Sequence, residues 1–294
     1  MMKRPVAALI GLALVLGCTL PAAAYTQEEQ QELQIGQQVR QQLHGEILTS
    51  SPYYSTLDSI ASRIKSVADQ KYFVPFHFVL VHETQPNAFS VPGGDVYVTD
   101  SMMKFVQNKE ELAGVLCHET SHAIHHDVMN NYVKDQQLSM YAGLASLIFG
   151  GGRSQVANAI IQNLAGLKSL TFSRDVEHNA DHTGAYICAQ AGINPYGMIW
   201  LFDKFEQNPS GAPPEALSDH PRDDHRISDL ETEFKADPAT FGKFNPDIAS
   251  ATPIGTSTWR NPYIGAASAT TARRQASKHT TNSAWKFNPR SNCC

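Results

Sequence analysis

The run His118-Glu119-Thr120-Ser121-His122 constrains this chain more than any other five residues. It lies inside the clearest predicted helix, Lys109 to His126. Glu110 and Glu111 occupy the first turn of that helix, where negative charge suits the dipole, and Leu112, Val115, Leu116 and Ala123 supply an apolar face. At about 3.6 residues per turn, side chains four apart lie about 40° apart around the axis. His118 and His122 therefore present two imidazoles from one face to one ion. Glu119 sits about 100° round from His118, at the edge of that face, where a carboxylate reaches a water on the ion rather than the ion itself. The plainer alternative is a pair of histidines on a solvated helix face.

A catalytic zinc takes three protein ligands and keeps one position open. Glu177 and Asp181 supply what the motif lacks: they are four apart on a predicted helix over 174–191, hence on one face. Glu177 can complete a set of two histidines and one glutamate. Asp181 can accept a hydrogen bond from the ring of a ligand histidine and so fix its tautomer. A surface acid pair is the alternative reading. Cys117 points about 100° away from His118, which predicts packing rather than ligation.

Around this centre the pattern predicts an α+β fold, mostly helical with a small sheet. Thr26 with Glu29 is a capping box that opens a helix to about Leu43, and Leu57, Ile60, Ile64 and Val67 mark a second over 55–68. Phe76 to His82 reads as a strand. Pro92-Gly93-Gly94 is a turn into a further strand, Val96-Tyr97-Val98, after which Thr99 or Asp100 caps a short helix. Residues 137–149 are apolar and read either as a core helix or as a lid hinged on Gly150-Gly151-Gly152. Helices are also predicted over 155–168, 195–206 and from Pro221 to about Lys235, with a Pro- and Ser-rich loop at 208–219.

Composition enters through the ends. Lys3 and Arg4, the apolar run Val6 to Leu16 and Ala22-Ala23-Ala24 form an export-signal pattern over residues 1–24. Val15-Leu16-Gly17-Cys18 competes with it as a lipoprotein signal, in which Cys18 would carry lipid. Both readings place the body outside the cytoplasm, periplasmic or secreted, or tethered to the outer membrane if Cys18 is lipidated. The formal net charge of −5 conceals an asymmetry. Residues 250–294 hold six bases and no acid, whereas the body, 25–249, holds 15 bases against 28 acids. So acidic a body excludes a nucleic-acid binder, which needs a basic face. The tail reads as weakly structured, with contact to an acidic membrane surface as an alternative. Cys117 and Cys188 read as buried in helices, as free thiols or as one bridge.

Four motifs occur in order: Asn87-Ala88-Phe89 with Pro92-Gly93-Gly94; Glu111 to Leu116 leading into the H-E-x-x-H; Ser173-Arg174 with Glu177, Ala180 and Asp181; and His220-Pro221 with Arg226-Ile227. With them the chain resembles the zinc metallopeptidase family that includes the CAAX prenyl endopeptidase, HtpX and BepA. The resemblance covers roughly residues 27 to 235 and implies a zincin-like domain whose small β-sheet has an antiparallel edge. It implies a glutamate as third ligand, matching Glu177, and an edge strand beside the cleft that pairs with substrate backbone, near Val91 to Thr99, with Val96, Tyr97 and Val98 as its residues.

The resemblance also implies that the His-Pro pair lies close to the site. Three roles for His220 stand side by side: a cap or tether of the last helix, a reversible fourth ligand that excludes water until the 208–219 loop moves, or a hydrogen-bond donor to the tetrahedral intermediate. The expectation is one Zn2+ per chain, held by His118, His122 and Glu177, with Glu119 as general base, in an endopeptidase acting on unfolded or misassembled envelope proteins. The alternative is an envelope chaperone or assembly factor that keeps the zinc-bound fold with little proteolysis.

Overall fold

The computed structural model describes residues 25–131, 172–206, 220 and 225–254. The expected features at 1–24, 137–149, 155–168, 208–219 and 255–294 lie outside the described residues, as does Pro221.

The capping box forms as the sequence predicts. Glu29 N–H donates to Thr26 Oγ1 at 3.2 Å, Thr26 N–H donates to Glu29 Oε2 at 2.6 Å, and α1 (Gln27–Gln42) follows. Helix α2 (Tyr54–Ala68) buries Leu57, Ile60 and Ile64. Strands β1 (His77–Val81), β2 (Ala88–Val91) and β3 (Asp95–Thr99) make one sheet in the order β1-β3-β2, with β3 parallel to β1 and antiparallel to β2. The antiparallel edge is therefore β2. Gly93 and Gly94 make the β2–β3 turn with φ of +92° and +90°, a left-handed conformation that only glycine adopts without strain. Thr99 caps α3 (Asp100–Phe105) by accepting from Met102 N–H at 3.0 Å.

Helix α4 (Lys109–Ile124) is the axis of the fold and is buried continuously from Glu111 to Ala123. Asn108 starts it, accepting from Glu111 N–H at 2.7 Å. Helices α5 (Arg174–Gln190), α6 (Tyr196–Glu206), α7 (Arg226–Ala236) and α8 (Pro238–Phe241) pack around it and each other. Close approach depends on missing side chains. A Cβ on Gly114 would lie 2.9 Å from Met198 Cα, and one on Gly184 would lie 3.1 Å from the Cys117 carbonyl. Cys117 and Cys188 are joined in a disulfide between α4 and α5, which resolves the sequence alternative in favour of the bridge. Glu177, Asp181, Gly184 and Cys188 recur at spacings of four, three and four, so one face of α5 carries both the contact to α4 and the acid pair. Beyond α8 the chain returns to the start of α4, where Lys109 N–H donates to Thr252 O at 2.8 Å and Ile254 is buried.

Among the described residues no helix is long and apolar enough to cross a membrane.

At its far end α4 gives way to His126, the one non-glycine residue with positive φ (56°) among those described. His126 Nδ1 lies 2.6 Å from Glu32 Oε1 on α1, and this hydrogen bond, against the cost of burial, raises the imidazole above its ordinary value. A raised histidine value contributes stability in full below the unfolded value of about 6.5, and that contribution is lost as pH rises through the folded value. The melting temperatures of the wild type and Glu32→Gln are thus expected to differ most near about pH 5.5 and to converge toward about pH 9. A gap independent of pH would contradict a charged pair.

Candidate metal centre

His118 and His122 lie one turn apart on α4, with their Nε2 atoms 3.0 Å from each other. Helix α5 delivers Glu177 opposite them: Oε2 is 3.4 Å from His118 Nε2 and Oε1 is 3.7 Å from His122 Nε2. His220 closes the group, with Nδ1 2.8 Å from Glu177 Oε1 and 3.2 Å from His118 Nε2. All four side chains are buried, and their nearest ligand atoms lie within 4.8 Å of one another.

The donor set fits a metal ion. His118 Nδ1 lies 2.9 Å from Asp181 Oδ1, and His122 Nδ1 lies 2.8 Å from Asp127 Oδ2. The Asp127 carboxylate, hydrogen-bonded at Nδ1 of His122, holds the proton there and leaves a lone pair on Nε2, and Asp181 stands close enough to His118 Nδ1 for the same role. The two Nε2 atoms, a third nitrogen and a carboxylate then face one point, where a cation can take the place of the protons they share. Ligands about 2.0 Å from a tetrahedral zinc stand about 3.3 Å from each other, and the separations here bracket that value.

The charge balance agrees. Burial, together with His118 and His220, pushes the His122 imidazole well below its ordinary value, so it is neutral and able to ligate. Burial pushes Glu177 up, but His220 and His118 outweigh it and hold the carboxyl well below its usual range. Burial likewise opposes ionisation of His220, yet Glu177 and Glu119 raise it to about 10. Burial lowers His118 too, but Asp181 and Glu177 outweigh it and raise the imidazole. Among protein groups alone, His220 and His118 thus supply the positive charge that the buried carboxylates require, a charge that a metal ion at the same point would replace.

Glu119 stands at the edge of this group. Its Oε2 accepts from Ser90 N–H on β2 at 3.0 Å, and its Oε1 lies 3.3 Å from His220 Nε2. Burial raises its pKa, but His220, His118 and His122 pull the net value below the ordinary one, so the group is ionised.

The model of peptidase family M48 matches residues 55–234, well over half of the chain. The chain belongs to peptidase family M48. It is similar to the beta-barrel assembly-enhancing protease of Escherichia coli (strain K12), 28% identical over 209 residues that cover 68% of this chain and 43% of that protein. The Yersinia pestis protein of the same name is 32% identical over 163 residues, 53% of this chain and 34% of the relative. A mitochondrial metalloendopeptidase OMA1 from Schizosaccharomyces pombe is 28% identical over 156 residues, 52% of this chain and 44% of the relative. The chain thus spans less than half the length of these relatives.

In this M48 chain the substrate-strand expectation needs correction. Strand β3 is central, with β1 on one side and β2 on the other, so Val96, Tyr97 and Val98 have no free backbone edge. The outer strands are β1 and β2; the antiparallel one is β2, Ala88–Val91, and it is β2 that touches the centre through Ser90. The turn at Pro92-Gly93-Gly94 forms as the sequence predicts, and the strand before it, Ala88–Val91, carries no alternating pattern of its own.

Two further residues take part in the centre: Asp127, which no motif marks, and Arg226, which the sequence marks only as a motif position. Asp127 reaches His122 only because the chain reverses at His126, and the only sequence signal was an acid five residues beyond the second histidine. Arg226, the first residue of α7, donates from Nε and Nη2 to Asp181 at 2.6 Å each, and its Nη1 lies 3.0 Å from Glu177 Oε2. This fork orients both acids at once. Its plane lies over the Phe202 ring, 4.2 Å from the centroid. Beside His118 and Glu119, Met102, Val115, Met198, Leu201, Phe202 and Phe205 line an apolar cavity.

Proposed function

We propose that this M48 chain is an exported zinc endopeptidase in which His118, His122 and Glu177 hold one Zn2+ and Glu119 is the general base. The convergence of His118, His122, Glu177 and His220 on one point, with Asp181 and Asp127 behind the two motif histidines, carries this reading. Residues 25–249 form the proposed peptidase domain, after a proposed export signal at 1–24 and before a basic segment at 250–294. The Cys117–Cys188 bridge supports export, because disulfides persist in oxidising compartments. Cys18 is the proposed alternative point of lipid attachment.

A zinc ion in this site supplies a Lewis acid that polarises the scissile carbonyl and lowers the pKa of water to about 7. The chain supplies the rest. Ser90 N–H pins Glu119 Oε2, which leaves Oε1 to take a proton from the attacking water and pass it to the leaving amine. Strand β2 is the outer, antiparallel strand beside the centre and is the segment proposed to pair with an extended polypeptide backbone. The apolar cavity offers a place for a bulky side chain of that polypeptide. Asp181, oriented by Arg226, and Asp127 keep the two imidazoles aimed. The curated relatives include proteases named for beta-barrel assembly, which supports envelope proteins, unfolded or misassembled, as substrates.

His220 is read as a reversible fourth ligand. Its Nδ1 faces the metal position and its Nε2 engages the base, so one side chain blocks both the open coordination site and Glu119 Oε1. His220→Ala is expected to raise casein cleavage several-fold. A loss of cleavage would instead assign His220 to the transition state, and no change would reduce it to a tether for α7.

A further inference from the structure

Helix α4 ends in a way that its own sequence does not ask for. A left-handed residue just past a helix is ordinarily glycine, since a Cβ crowds the backbone there. Here the position is His126, at φ 56°. The next residue, Asp127, lies back along the helix against His122 Nδ1 at 2.8 Å, with His125 Nδ1 3.9 Å from the same oxygen. The reversal at His126 is what gives Asp127 that position.

The unfavourable backbone is held from outside the helix. Glu32, buried on α1, accepts from His126 Nδ1 at 2.6 Å with one oxygen and from the Tyr72 hydroxyl with the other. Tyr72 Oη in turn accepts from Gly93 N–H at 3.1 Å, in the turn that begins the β2–β3 hairpin. The His126 ring also stacks on Phe73, 6.4 Å between centroids and 16° between planes. A buried carboxylate is costly unless it is paired, and this one is committed on both oxygens. Its two arms end at the residue before Asp127 and at the turn of the edge hairpin.

We propose that Glu32 and His126 are positioning residues of the metal centre: Glu32 locks His126 in the left-handed conformation from which Asp127 reaches and orients His122. The inference rests on the zinc reading above and adds to it a support that lies on α1, outside the residues matched by the family model.

The zinc dissociation constant, measured by competition with a chromophoric chelator, tests this apart from any peptidase activity. Asp127→Ala is the reference and is expected to weaken zinc binding about 10–100-fold, the usual effect of removing a ligand's outer partner. His126→Ala, which keeps a Cβ at the left-handed position but loses Glu32, is expected to weaken it in the same range. Glu32→Ala is expected to do likewise. His126→Gly loses the same side chain but adopts the left-handed conformation freely, so it is expected to restore affinity to within about threefold of the wild type. Melting temperatures accompany each variant. A purely structural role would make His126→Gly and His126→Ala equal in zinc affinity, and that result overturns the proposal, as does wild-type affinity in His126→Ala. A wild type that takes up no zinc overturns the metal reading itself and this inference with it, whereas failure of the histidine series in a zinc-loaded protein overturns this inference alone.

Discussion

Glu119→Gln is expected to keep zinc at the wild-type stoichiometry and to lose casein cleavage by about 10²–10⁴-fold, the usual contribution of a general base. The substitution is nearly isosteric. Its amide oxygen still accepts from Ser90 N–H, so β2 stays where it is. Glu119 makes no contact with His118, His122 or Glu177 among the hydrogen bonds and ion pairs of the site, and its nearest charged neighbour there is His220 Nε2. What the amide cannot do is carry a proton from water to the leaving nitrogen. The same variant separates catalysis from client binding. If the wild type and Glu119→Gln act equally on an unfolded envelope protein while zinc remains, the chaperone reading replaces the endopeptidase.

Loss of the Cys117–Cys188 bridge is expected to cost about 4 kcal/mol of stability, measured by urea unfolding of Cys117→Ala/Cys188→Ala against the oxidised wild type. The two residues are 71 apart in sequence, so the bridge removes a large loop from the freedom of the unfolded chain. Both sulfurs are buried, and Cys117 immediately precedes His118. The effect therefore extends to the centre: the bridge ties together the two helices whose facing sides carry His118, His122 and Glu177. The double variant is expected to bind zinc more weakly even where it remains folded. A change below about 1 kcal/mol would contradict a stabilising role for the bridge.

What the sequence disclosed follows the reach of local physics. The spacing of His118 and His122, and of Glu177 and Asp181, is a property of single helices, and periodicity alone places each pair on one face. Thr26, Glu29, Thr99 and the Pro92-Gly93-Gly94 turn act within a few residues of themselves, so their caps and turn were readable too. The choice of edge strand was not local. Asp95–Thr99 is internal because β1 runs parallel along the side that β2 leaves free, and that pairing skips over the whole β2 hairpin arm. Asp127 was hidden for a related reason: its approach to His122 depends on a left-handed histidine that is stabilised by Glu32, 94 residues earlier. Arg226 carried a recognisable motif position, but its grip on Asp181 and Glu177 becomes visible only when α7 is packed against α5. The disulfide needed the same helix packing that Gly184 permits.

The central claim is that His118, His122 and Glu177 hold one zinc ion. Metal analysis of the purified chain after exposure to excess zinc and gel filtration tests it most directly, with Glu177→Ala and His122→Ala beside the wild type. The account predicts about one zinc per wild-type chain and a large loss in both variants, each of which removes one of three ligands. Stoichiometric zinc retained in either variant, or none in the wild type, would contradict it.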